Sequence, residues 1–396
     1  MTLRFDVSAI CGLAFLAAGA LPAQAAGIDT PARHAALMDA ATGEFLFEKD
    51  GDVLMPPSSM SKLMTIEVLF DALKKGSVKL TDAFHVSPKA WRMTGSKMFT
   101  RVDTEITVEN LIQGIIVVSG NDACVVVAEG MAGSEEAFAQ RMTKRAREIG
   151  LTKSTFANAS GLPDPGQQMT ARELAILARH LITAYPEYYH YFGQPEFNWE
   201  RITQPNRDPL LGKFPGADGL KTGHTDDGGY GLVASADQDG RRLILVVNGL
   251  GSERERETES KRLLTIGYRD FKAYDLVLAD QVLGTAPVFG GIAKEVGLTI
   301  AAPVRRVMNV DTRARMKASL DYSAPLKAPV KKGTKVGTLT IAVPDSEPTV
   351  VDLVTNADVA RTGPVGAFTL GLAHLFFGEM GNVPPPSTVK KKAAAN

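Results

Sequence analysis

Helical and strand periodicities are segregated along this chain, and that segregation limits its architecture more than any other feature. From about Ser59 apolar residues recur at helical spacing: Leu63, Ile66, Leu69, Phe70 and Leu73 share one side of a helix that Gly76 stops. Thr107 opens a mostly apolar helix running to about Val118; Ser119-Gly120-Asn121 breaks the pattern, and Ala123 to Met131 resumes it. Ser134 caps a further helix carrying Phe138, Met142 and Ile149, and Thr170-Ala171-Arg172-Glu173 is a capping box heading another, which Pro186 ends. Extended runs lie on either side of this helical stretch. Ala35 to Glu48 reads as a hairpin turning at Ala41-Thr42-Gly43. Gly219–Thr225, Gly229–Ala236 and Arg242–Asn248 read as three successive strands, the last two joined at Asp239-Gly240. Ser252 to Tyr274 returns to a charged amphipathic helix. An α+β fold follows: an antiparallel sheet with a helical cluster, and helices on the far face of the sheet.

At 396 residues the chain exceeds one ordinary core, so two domains are expected. The second is a small β-sandwich, because short β-like runs alternate with Gly- and Pro-containing turns from about Asp280 to Val359. The first 25 residues read as a secretory signal: Arg4, an apolar run from Val7 to Leu21, then Ala23-Gln24-Ala25. That run falls short of the ~20 residues that span a bilayer. Export to the periplasm is therefore expected. Cys11 lies inside the signal, which leaves Cys124 as the single thiol of the mature chain, buried and inert in an apolar helix. The organisation expected is a signal at 1–25, a first domain at 26–276, a β-sandwich at 277–360, an apolar helix at 361–380 and a disordered basic tail at 381–396. Gly363 to Phe377 is nearly all apolar but holds neither Lys nor Arg. It is read as a helix lying on the outer face of the inner membrane, with packing on another protein as the competitor. Basic and acidic residues balance at 44 each, which gives no sign of a nucleic-acid partner.

Three short motifs carry the chemistry. Ser59-Met60-Ser61-Lys62 sets a hydroxyl and an amine three residues apart on one helical face. Ser59 is the candidate nucleophile, and a serine needs a neighbouring base. Lys62 can be that base only when neutral, which requires desolvation or a second cation, and Lys221 is the natural one. In Ser119-Gly120-Asn121 the hydroxyl suits proton relay to a departing amine, and Asn121 suits a hold on the substrate backbone or on Lys62. In Lys221-Thr222-Gly223-His224 the first two side chains suit a substrate carboxylate, and Gly223 lets a substrate backbone lie close. The remaining histidines show no metal-ligand spacing, so neither a metal nor a cofactor is expected.

Together these motifs resemble those of the low-molecular-mass penicillin-binding proteins that act as serine D-alanyl-D-alanine carboxypeptidases. The similarity runs specifically from about Ala36 to about Leu276 and more loosely to the C-terminus. It implies a β-lactamase/transpeptidase-like domain and an oxyanion hole made by the backbone N–H groups of Ser59 and His224. It also implies a carboxylate-binding arginine at Arg207, for which a surface ion pair is the alternative. The expected partners are the peptidoglycan stem pentapeptide and β-lactam antibiotics.

Three rival readings compete with this one. A class A β-lactamase uses a glutamate in the loop between the second and third motifs, and here Ala157 to Asp164 holds none. A D,D-endopeptidase of the same superfamily shares the motifs, although its members are usually shorter and lack the C-terminal β-module. A non-catalytic penicillin-binding sensor has no need to keep Ser59, Lys62, Ser119 and Lys221 together.

Overall fold

The computed structural model describes residues 28–344, 348–363 and the backbone of 387–392. The expected signal and the body of the apolar segment after Gly363 lie outside the described residues. Among the described residues no helix is long and apolar enough to cross a membrane.

The chain begins with a hairpin of β1 (His34–Asp39) and β2 (Phe45–Lys49), as its alternation predicts. A short 3₁₀ turn, Ser58–Ser61, then leads into α1 (Lys62–Lys74). Three elements without a sequence signal follow: β3 (Ala83–His85), α2 (Pro88–Arg92) and β4 (Glu105–Thr107), with β3 pairing to β4. Helices α3 (Val108–Ile116), α4 (Asn121–Ala132), α5 (Glu135–Glu148) and α6 (Ala171–Ala184) lie where apolar spacing put them. Thr107, Ser134 and Thr170 accept backbone N–H groups at their caps, satisfying donors that a helix start leaves free. The capping box is only half formed. Thr170 caps the Glu173 N–H, but the Glu173 carboxylate turns away to accept Ser154 N at 2.7 Å and Lys153 N at 2.8 Å. It ties down the loop after α5 instead.

A small hairpin, β5 (Glu196–Trp199) and β6 (Ile202–Pro205), precedes β7 (Ala217–Thr225), β8 (Gly229–Gln238) and β9 (Arg241–Leu250). The last three join the first hairpin in a five-stranded antiparallel sheet ordered β2-β1-β9-β8-β7. Successive side chains of β9 serve opposite cores, as strand geometry requires. Ile244 and Val246 join Leu63, Leu69, Phe70, Leu111 and Ile112 of the helical cluster. Leu243, Leu245 and Val247 pack with Leu263 and Leu264 of α7 (Glu253–Asp270) on the far face. The three motifs thus sit at the seam between the sheet edge β7 and the buried helical cluster.

Helix α7 stops four residues short of the expected Tyr274. Phe271–Val277 is β10 instead, because its alternation faces two cores: Phe271 and Ala273 pack with the sheet and α7, Tyr274 and Leu276 with the β-module. It pairs with β13 (Val304–Asn309). Between and beyond them come β11 (Gly284–Phe289), β12 (Glu295–Thr299), α8 (Val310–Arg315), β14 (Lys317–Ala324), β15 (Leu326–Lys327), β16 (Lys335–Ala342) and β17 (Thr349–Thr355). With β18 (Ser387–Lys392) these form a sheet ordered β15-β11-β12-β17-β16-β14-β18 around a separate apolar core.

Within the tail expected to be disordered, Ser387–Lys392 is instead a strand, β18, while the rest of that tail lies outside the described residues. Ser387–Lys392 pairs antiparallel to β14, from Ala324↔Ser387 to Ser319↔Lys392. Its lysine run argued for solvation, but strand pairing is made by the backbone. Among the described residues β18 ends the sheet, and a charged edge strand is how sheets end without recruiting another chain.

Candidate active site

The turn before α1 carries the first motif. A 3₁₀ turn eclipses residues three apart, so Lys62 stands directly over Ser59 rather than a loose helical turn away. Lys62 is fully buried, and its Nζ donates to Ser59 Oγ at 2.8 Å, Asn121 Oδ1 at 2.8 Å and the Ser160 carbonyl at 2.5 Å. Burial lowers its pKa to about 8, and the Arg207 charge acts in the same direction. Lys221 was expected to supply that second charge. It is itself pushed well down, first by burial and then by the charges of Lys62 and Arg207.

Two loops aim acceptors at Lys62. Asn121 opens α4, and its Nδ2 donates to the Thr94 carbonyl at 2.8 Å, so its Oδ1 faces the ammonium. The next residue, Asp122, is buried and accepts Met98 N and Thr100 N at 2.9 and 3.0 Å, strapping residues 94–100 to the start of α4. The second loop is folded on Asn158, whose Oδ1 accepts the N–H groups of Ser160, Gly161 and Leu162. Gln167 and Glu135 take the N–H groups of Ala157 and Ala159. Neither Asp122 nor Asn158 was singled out from sequence. Asp122 follows the second motif directly, and Asn158 lies in the loop searched for a glutamate.

Ser119 sits at the break between α3 and α4 with φ +61°, a backbone setting unusual for a side-chain-bearing residue, and is almost wholly buried. On β7, Lys221 and Thr222 are buried, and Lys221 Nζ donates to the Thr222 carbonyl at 3.1 Å. Gly223 also has a packing reason to be glycine. A Cβ there would stand 3.0 Å from the Pro57 carbonyl and 3.1 Å from Ser58 Cβ, so the missing side chain lets β7 close on the nucleophile turn. Gly161 does the same from the other side: with φ +79°, its Cβ would stand 2.0 Å from the Ser58 carbonyl. His224 is exposed, its ring 4.0 Å from the Tyr230 ring on the neighbouring strand.

Arg207 is not in a surface ion pair among the described residues; its guanidinium hydrogen-bonds Ser96 Oγ. It lines one cleft of ≈ 1300 Å³ together with Ser59, Ser119, Thr222, Gly223 and His224. Lys62, Asn121 and Lys221 stand buried behind that cleft. All nine residues expected from sequence therefore converge. Cys124 is buried as expected, and burial pushes its thiol up to about 12, which keeps it out of the chemistry.

This arrangement suits acyl transfer: a hydroxyl with a desolvated amine, a second hydroxyl across the cleft, and cations where a leaving carboxylate would lie. Comparison with known proteins agrees. Residues 21–251 match the family described as D-alanyl-D-alanine carboxypeptidase, and residues 271–361 match the penicillin-binding protein 5 C-terminal domain. The chain is 40% identical over 316 residues to the D-alanyl-D-alanine carboxypeptidase DacC of Escherichia coli, covering 78% of this chain and 79% of that protein. Its fold matches the D-alanyl-D-alanine carboxypeptidase DacD of Francisella tularensis with a TM-score of 0.76 at 29% identity, covering 88% and 98% of the two chains. Penicillin-binding protein 5 of Haemophilus influenzae gives 0.72 at 34% identity, covering 85% and 100%. The chain belongs to the D-alanyl-D-alanine carboxypeptidase family, serine-type hydrolases among the low-molecular-mass penicillin-binding proteins.

Proposed function

We propose that this enzyme removes the terminal D-alanine from peptidoglycan stem pentapeptides through an acyl-Ser59 intermediate. Lys62, in its neutral form, takes the proton of Ser59 as Oγ attacks the penultimate D-alanyl carbonyl. The backbone N–H groups of Ser59 and His224 receive the developing oxyanion. Ser119 passes a proton to the departing amine, the C–N bond breaks, and D-alanine leaves. Water then hydrolyses the ester. Arg207, Lys221 and Thr222 hold the terminal carboxylate, Asn121 fixes Lys62, and Gly223 keeps β7 against the nucleophile turn.

One observation carries this reading: a fully buried lysine, its pKa lowered to about 8, donating to Ser59 Oγ at 2.8 Å. A β-lactam presents a strained amide to the same serine, so we expect it to acylate and inhibit the enzyme. Residues 26–276 act as the catalytic domain and 277–360 as the β-module, a division supported by the separate apolar cores of the helical cluster and of the β-module. The sequence of residues 1–25 supports export to the periplasm, and the apolar run after Gly363 supports a peripheral hold on the inner membrane. The deciding experiment measures D-alanine release from diacetyl-L-lysyl-D-alanyl-D-alanine with and without benzylpenicillin. Penicillin-sensitive release that Ser59→Ala abolishes supports the mechanism; covalent penicillin labelling retained by Ser59→Ala would sink it.

A further inference from the structure

The β-module carries an apolar turn that the catalytic reading does not use. Between β11 and β12 the chain reverses over Phe289 to Lys294. Ile292, 72% exposed, is the most exposed large apolar side chain among the described residues, and Phe289 is 58% exposed. Scattered single apolar side chains are ordinary on a surface; two held outward on one turn call for a reason. The backbone between them is packed down. Gly290 has φ +69°, and a Cβ on Gly291 would stand 2.8 Å from Val359 Cγ1 and 2.9 Å from Val288 Cγ1. Residues 360–362 hold the same turn: Ile292 N donates to the Ala360 carbonyl and Thr362 N to the Gly290 carbonyl, both at 2.9 Å. Three exposed cations flank it. Lys327 pairs with Phe289, Arg361 bridges Gly291, and the Lys294 carbonyl accepts Val288 N at 2.7 Å. None of the three side chains has an ion-pair partner among the described residues. Of the carboxylates beside them, Asp358 is paired with Lys331 at 3.3 Å, which leaves Glu295.

We propose that this turn is a lipid-contact surface of the β-module that selects an anionic bilayer. The proposal rests on the reading that the apolar run after Gly363 holds the membrane. An interfacial hold combines buried apolar area with attraction to anionic headgroups. Gly363 to Phe377 offers the first without a single Lys or Arg, and its apolar residues begin at Val365, three positions after Thr362. The turn offers the second at the place where that run starts. Phe289 and Ile292 enter the boundary between headgroups and acyl chains, while Lys294, Lys327 and Arg361 meet the lipid phosphates around them. Lys390–Lys392 are the competing source of charge, and their strand β18 lies at the opposite end of the strand order from β15 and β11.

The test measures flotation of the exported full chain with phosphatidylcholine vesicles and with vesicles that also contain phosphatidylglycerol. The anionic vesicles should bind it more tightly, and high salt should remove the preference. Replacing the three cations together, Lys294→Gln, Lys327→Gln and Arg361→Gln, should abolish that preference, at about fivefold in affinity per charge. Phe289→Ser with Ile292→Ser should weaken binding to both kinds of vesicle about tenfold, through lost apolar burial. Neither set lines the cleft, so D-alanine release from a soluble peptide should stay at the wild-type rate and report an intact fold. Equal binding of the wild-type chain to the two vesicles overturns the proposal. So does a preference that survives loss of the three cations, or one that Lys390→Gln, Lys391→Gln and Lys392→Gln abolish instead. Unchanged binding after Phe289→Ser with Ile292→Ser overturns it as well. Failure of the wild-type chain to bind either vesicle would instead count against the membrane reading itself.

Discussion

At the scale of single residues the site depends on how far one amine is removed from water. Lys62 is fully buried and its pKa falls from 10.5 to about 8 because burial disfavours the charged form. The general-base role needs the neutral form, so acylation should rise with pH and reach half its maximum at about 8. The check is the second-order rate of penicillin acylation between pH 6 and 10; a flat profile would exclude Lys62 as the base. Lys62→Arg cannot become neutral in this range and should lower acylation by about a hundredfold or more. At Gly161 a methyl group has no room, and at Gly223 it would be tight. Gly161→Ala should cost about 3 kcal/mol in denaturant unfolding, through overpacking and an unfavourable φ, and should slow penicillin labelling by displacing the Ser58–Ser59 turn.

Among the elements, α4 and the loop after α5 hold the site by their ends rather than their faces. Asp122 joins residues 94–100 to α4 through two backbone N–H groups, and Asn121 reaches Lys62 from the same helix start. Glu173 holds residues 153 and 154 by their backbone N–H groups. Glu173→Gln should lower the unfolding free energy by about 2 kcal/mol, the worth of charge-assisted bonds in a buried setting, with little change in the pH profile. Thermal unfolding at neutral pH, alongside acylation rates, separates the two effects. Helix positions were legible from apolar spacing because a buried face needs repeated contacts. The anchoring bonds were not, since Asp122, Asn158 and Glu173 meet partners 20 or more residues away or hold irregular loops that have no period.

Over the whole molecule the β-module is joined to the catalytic sheet at a polar contact. Glu44, in the turn of the first hairpin, pairs with Arg306 and accepts Val307 N at 2.6 Å on β13. Glu44→Ala should therefore lower the melting temperature by a few degrees while leaving D-alanine release on a soluble peptide unchanged, because this contact touches neither the cleft nor its supports. A chain ending at Arg361 removes both the apolar segment and β18. It should keep full activity on the soluble peptide and leave the membrane fraction of exporting cells, with cell fractionation as the readout. Unchanged membrane recovery would refer the hold to another surface.

Sequence alone determined the order of the main helices and of the central sheet strands, the β-rich second unit and the motif residues that meet at the cleft. Each of these is set by local period or by a short motif whose side chains are neighbours on one turn or strand. Tertiary structure decided what those groups can do. It buried Lys62, turned Glu173 away from its cap and gave Ser387–Lys392 a strand to pair with. These outcomes depend on desolvation and on partners distant in the chain, and neither is written into the spacing of residues.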